Sequence, residues 1–163
     1  MKNYTTAVAA FVAWSALATA SAGAQEYKSG SIEVDQPWST ATPRGASVGA
    51  GYLTIKNAGT ESDQLTGVTT PAADKVEIHQ MTMDNGVMKM RPLPSGLAIN
   101  PGQTVDLKPS SFHLMLMNLK GPIERGKPFK ATLMFAKAGP IDVEFAVQPI
   151  GATSAPAHDA HHH

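Results

Sequence analysis

Between Ile32 and Val147 helical periodicity is hard to find, and short apolar-rich runs stop repeatedly at Gly, Pro, Asn or Asp. Successive side chains on a strand point to opposite faces, so a two-residue alternation commits a segment to a sheet with one buried face. Runs of this kind fall at Ile32–Asp35, Val48–Asn57, Asp63–Thr69, Lys75–Thr82, Val87–Pro92, Gly96–Ile99, Gln103–Leu107, His113–Leu119, Pro128–Phe135 and Ile141–Val147. Asp84-Asn85-Gly86 reads as a hairpin turn, because Asn-Gly accepts the positive φ angles of tight turns. Asn100-Pro101-Gly102 and Lys137-Ala138-Gly139-Pro140 mark two further connections. Many short strands at this spacing predict a single all-β domain, an antiparallel β-sandwich.

The two ends read differently. Lys2, then the apolar stretch Ala7–Leu17, then Ala22-Gly23-Ala24 form the pattern of a secretory signal peptide over residues 1–24, with Gln25 as first mature residue. Ala20-Ser21-Ala22 is a competing cleavage site. The apolar stretch is too short to span a bilayer comfortably, so no stable membrane insertion is expected after cleavage, and the address is a bacterial periplasm. Residues 25–150 form the folded domain. From Gly151 to His163 the composition cannot build a core and predicts a flexible tail ending in His158, His161, His162 and His163.

Formal net charge is zero, which removes any electrostatic case for nucleic acid as a partner. Cysteine is absent. That excludes a disulfide scaffold, a thiolate nucleophile, a cysteine zinc site and a blue-copper thiolate.

The central segment concentrates soft donors. Met81, Met83, Met88, Met90, Met115 and Met117 share it with His79 and His113, the two histidines outside the tail. Methionine is ordinarily plastic core filler. Here the strand period argues otherwise: Phe112, Leu114 and Leu116 share one face, while His113, Met115 and Met117 share the other. Likewise Val76 and Ile78 carry the apolar parity, and Glu77, His79, Met81 and Met83 the opposite one. Both histidines are therefore expected on the outside of the barrel, each with a methionine two residues later. Thioether sulfur and imidazole without thiolate form a neutral set that favours Cu(I) and competes poorly for Zn²⁺, Mg²⁺ or Ca²⁺. Trp38 and Tyr52 read as core or site-supporting aromatics.

At this point the residues resemble a known family, the periplasmic copper chaperone A family. Its signature is a histidine, ten residues, a methionine, twenty-one residues and His-x-Met, and it is matched here by His79, Met90 and His113-x-Met115. Pro37-Trp38, Pro43-Arg44-Gly45, Gly51-Tyr52-Leu53-Thr54-Ile55-Lys56-Asn57, Met88-Lys89-Met90-Arg91-Pro92 and Leu107-Lys108-Pro109 follow in the family's order. The second gap holds one residue more than the signature, and the extra residue fits the Leu93-Pro94-Ser95-Gly96 loop. The resemblance implies a cupredoxin-like Greek-key β-sandwich or barrel, with Cu(I) held by His79, Met90, His113 and Met115. It also implies copper delivery for cytochrome c oxidase assembly, with a copper-accepting oxidase subunit or a thioredoxin-like copper chaperone as partner, and no enzymatic activity. A monomer is expected.

The tail histidines, with Asp159, offer nitrogen and carboxylate donors that suit a second copper as Cu(II). A solvated end is the alternative. Three other readings compete with a chaperone: a copper-buffering or resistance protein, an Ig-like structural domain with incidental methionines, and an electron-transfer cupredoxin. Catalysis finds little support, since no nucleophile or second base is spaced to meet Asp74, Glu77 and His79.

Overall fold

The computed structural model describes residues 26–157. The expected signal segment and the tail histidines His158, His161, His162 and His163 lie outside the described residues. The strands are β1 (Glu26–Ser29), β2 (Ile32–Thr40), β3 (Val48–Asn57), β4 (Asp63–Thr69), β5 (Ala73–Asp84), β6 (Val87–Pro92), β7 (Leu97–Ile99), β8 (Thr104–Leu107), β9 (Phe112–Leu119), β10 (Phe129–Phe135) and β11 (Gly139–Gln148). No helix occurs among the described residues. The fold is all-β.

Hydrogen bonding links the strands in the order β6-β5-β9-β8-β3-β2-β11-β10-β4-β7, with β1 beside β2. Neighbours such as β5–β9, β3–β8 and β4–β7 are distant in sequence, as Greek-key connections require. The path turns over at β11. Its first half, Gly139–Phe145, pairs antiparallel with β10, while Ala146–Gln148 runs parallel to β2. Inner faces then meet in one core that includes Val34, Ile55, Leu65, Ile99, Leu114, Leu133 and Phe145. Burying each such side chain contributes about 1.5–3 kcal/mol, which is what makes the alternation binding on the register.

Two strands differ from the sequence reading. Alternation ended the first expected strand at Asp35, yet β2 continues to Thr40. Its pairing with β3 shifts between Asp35 and Trp38, where Gln36 takes a φ of 50°. The bulge accommodates Pro37, which has no N–H to give to a ladder, and pairing resumes at Trp38↔Tyr52. The edge strand β1 was not expected at all. Its four residues carry one apolar anchor, Tyr27, whose hydroxyl accepts the Glu144 backbone N–H at 3.0 Å.

The β5–β6 hairpin positions the region of interest. β5 pairs with β9 only as far as Gln80↔Phe112, but continues with β6 to Asp84↔Val87. Asn85 and Gly86 close it with φ angles of 49° and 78°, the positive pair of a type I′ turn. Every residue of β6 is exposed. The hairpin is thus a ribbon projecting from the end of the sandwich.

Candidate functional site

Pairing of β5 with β9 puts His79 directly opposite His113 and Glu77 opposite Met115. Pairing of β5 with β6 puts Met81 opposite Met90 and His79 opposite Pro92. Residues directly opposite, and their neighbours two positions along, share a face. His79 therefore has His113 straight across and Met115 on one diagonal, with Met90 on the other. The four residues named by the family signature come together around β5, although three strands supply them. Met81 sits between His79 and Met83 on the same face.

The two imidazoles stand edge to face, with ring centroids 5.5 Å apart. They are 8% and 5% exposed, so the expectation that they lie open on the outside of the barrel needs correcting. Their parity is as expected, off the core stripe of Leu114 and Leu116. What sequence alone does not convey is that the rings face each other, flanked along the strands by Glu77, Met81 and Met115, which leaves little of either exposed. Met90, 47% exposed, borders them on the solvent side.

Hydrogen bonds assign a role to each ring nitrogen. His79 Nε2 lies 2.8 Å from Glu77 Oε2, so it carries the proton and donates to the carboxylate. The Nδ1 of the same ring is buried with no hydrogen-bond partner. An unpaired buried nitrogen is costly in a neutral protein core. Its lone pair is what a metal ion would use, and a carboxylate fixing the far side of the ring is the usual way a ligand histidine is oriented. In His113 the contact is reversed: Nδ1 lies 3.4 Å from the Ser111 carbonyl, leaving Nε2 as the bare nitrogen.

Electrostatics favour the same state. Burial pushes the His113 pKa down, the Ser111 carbonyl opposes this in part, and the nearby His79 lowers it further. Hydrogen bonds from Lys75 first and His79 second hold the Glu77 carboxyl below its usual range. His113 is accordingly a neutral ring at neutral pH, with a lone pair to give.

Among the described residues no group of three or more His, Asp or Glu is gathered as a hard-metal site. The donors that do converge are two imidazoles and thioethers, a set suited to a soft monovalent ion. Trp38 and Tyr52 pack on each other, ring centroids 4.6 Å apart, and Tyr52 stands two residues along β3 from Ala50, the partner of Met115. Met134 lies on β10, away from this face.

The family described as "Putative lipoprotein LpqE-like" matches residues 32–147, nearly the whole of the sandwich. The chain belongs to the LpqE-like family. A curated relative, "Putative lipoprotein Lxx21020" of Leifsonia xyli subsp. xyli (strain CTCB07), is 33% identical over 105 residues, 64% of this chain and 62% of that one. The chain therefore spans less than two thirds of that relative's length. Among solved structures, the apo PmoF2 PCuAC domain superposes with a TM-score of 0.68 at 24% identity, covering 80% of this chain and 100% of that domain. The Cu(I) form of DR1885 from Deinococcus radiodurans, a solution structure, gives 0.58 at 28% identity over 78% of this chain and 83% of that one. The expected fold class stands.

Within this LpqE-like sandwich, sequence reasoning passed over two groups that shape the site. Glu77 was read for its strand face and as a weak catalytic candidate but not as a partner of His79, and Ser111 was not singled out as a partner of His113. An acidic residue two positions before a histidine on the same strand face was the available signal for Glu77. The Ser111 backbone carbonyl had none.

Proposed function

We propose that the chain carries Cu(I) outside the cytoplasm, bound by His79, Met90, His113 and Met115, and passes it to a copper-accepting oxidase subunit or a thioredoxin-like copper chaperone. One observation carries the reading: the buried, unpartnered Nδ1 belongs to a His79 ring that stands edge to face with His113, with methionines on both diagonals. Two imidazoles and two thioethers form a neutral set that stabilises Cu(I) over Cu(II) and offers little to zinc. The Cu(I) form of the Deinococcus radiodurans neighbour and the lipoprotein name of the Leifsonia relative support, respectively, the ion and the export. Exposed Met90 is the ligand an incoming donor or acceptor can displace first, which suits transfer by ligand exchange. The same donors would serve a copper buffer, and the tail histidines are proposed as a separate site for Cu(II).

The test is an anaerobic Cu(I) titration of the tail-deleted protein against a competing chelator, with X-ray absorption to read the ligands. Mixed nitrogen and sulfur coordination, lost in a His113→Ala, Met115→Ala variant, is expected. Unchanged affinity in that variant would sink the assignment. Transfer to an apo oxidase copper domain under reducing conditions separates delivery from buffering.

A further inference from the structure

The projecting hairpin carries more methionine than the proposed His79–His113 site needs. Beyond Gln80 the ribbon has left β9 and covers no core, yet Met83, Val87, Met88 and Met90 are 66%, 58%, 41% and 47% exposed. A two-stranded ribbon is marginal by itself, and exposed thioethers do nothing to steady it. The methionines are confined to one face. Met81 opposes Met90 and Met83 opposes Met88, so four thioethers form a two-by-two array on the face that bears His79. The reverse face carries Gln80, Thr82, Asp84, Val87, Lys89 and Arg91, with an Asp84–Lys89 ion pair. Every thioether of the ribbon thus lies on one face and every charged side chain on the other.

We infer that Met81, Met83 and Met88 form a second, sulfur-only site for a soft monovalent ion at the outer part of this hairpin, from which the ion passes inward to His79 and His113 by way of Met90. Opposed Cβ atoms on a hairpin stand about 4.5–5.5 Å apart, and the flexible methionine side chain lets an opposed pair and its neighbour close on one ion. Neutral thioethers alone bind such an ion more weakly than a set containing imidazole, and they hold no attraction for hard cations. The site therefore loads second and releases first. Solvent reaches Met83 freely, while both rings are buried, so the ribbon is the accessible face at which an arriving ion meets sulfur first. The transfer is ligand exchange without change of oxidation state. This proposal rests on the copper reading of the inner site for its direction of transfer, and on the hairpin alone for binding.

The experiment is a titration of the full mature chain, labelled with ¹³C at the methionine ε-methyls, with Ag(I) as a redox-inert probe. The tail contains no methionine, so ions taken up there leave these signals unmoved. Met90 and Met115 should shift with the first equivalent reaching the domain, and Met83 and Met88 with the second. A Met83→Leu, Met88→Leu variant, altered only on the exposed ribbon, should keep the first step and lose the second. Stationary Met83 and Met88 signals, or a second step unaltered in the variant, would overturn the outer site. Movement of Met83 and Met88 with Met115 unmoved throughout would instead overturn the inner site and leave the outer one standing.

Discussion

Glu77 is the residue whose replacement asks most of the proposed site without removing a ligand. Its Oε2 accepts from His79 Nε2 at 2.8 Å, which holds the imidazole in the tautomer that leaves Nδ1 bare. In Glu77→Ala the ring is released to a second tautomer and to a flipped orientation, and neither keeps Nδ1 bare at its buried position. Losing the partner that orients a ligand histidine typically lowers metal affinity 10–100-fold, or about 1.4–2.7 kcal/mol. Two features of the structure place this case near the lower end. The carboxylate is 26% exposed, so water softens the charge-assisted bond, and Lys75 competes for the same group. Glu77→Ala should therefore weaken Cu(I) binding roughly tenfold. Glu77→Gln, which keeps a carbonyl oxygen to accept the same proton, should stay within a few-fold of the native protein. Competitive Cu(I) titration measures both affinities, and ¹⁵N chemical shifts of the apo His79 ring report the tautomer directly. If Glu77→Ala binds as tightly as the native chain while the His79 tautomer ratio does shift, orientation of that ring does not limit binding and the reasoning fails. Equal losses in the Ala and Gln variants would show that charge, and not the hydrogen bond, is what matters.

Two further outcomes follow from other parts of the structure. Asp63 is 8% exposed and receives backbone N–H bonds from Gln64, Lys137 and Ala138 at 2.7, 2.8 and 2.9 Å, clamping the β10–β11 turn to β4. Burial alone would raise its carboxyl, but those three donors outweigh it and hold the pKa low. Asp63→Ala should cost roughly 2–4 kcal/mol in urea unfolding at pH 7, and a change near zero would mean that water replaces the carboxylate freely. For His113, burial first, with His79 adding to it, lowers the folded pKa below the ordinary value of about 6.5. The unfolded chain then binds the proton more readily, so apo stability is flat above about pH 6.5 and falls as pH drops below it, until the folded ring also protonates. Melting temperatures between pH 7.5 and 5.5 should show this fall, and His113→Gln should flatten it. An unchanged slope in the variant refutes the assignment.

How much of this could be read in advance depended on whether the information was local. The alternation in Phe112–Met117 is local, and it separated Leu114 and Leu116 from His113, Met115 and Met117 correctly. Asn85-Gly86 is local too, because its φ angles follow from the residues themselves. The β2 bulge at Gln36-Pro37 was hidden because a proline inside an alternating run ordinarily signals an end, and only pairing with β3 shows the strand resuming. Burial of the histidines was hidden for the same kind of reason. Parity tells which face a side chain takes, but the register His79↔His113 joins segments more than thirty residues apart and is set by the core stripe on the other side of the sheet. Leu114 and Leu116 facing inward between β5 and β3 leave His113 one position at which to meet His79, and a slip of β9 by one residue would send His113 into the core and away from His79. The core that stabilises the sandwich thus also aligns the donors. The ligand geometry is therefore a consequence of hydrophobic packing, and a substitution such as Leu114→Ala can disturb the site without touching a donor atom.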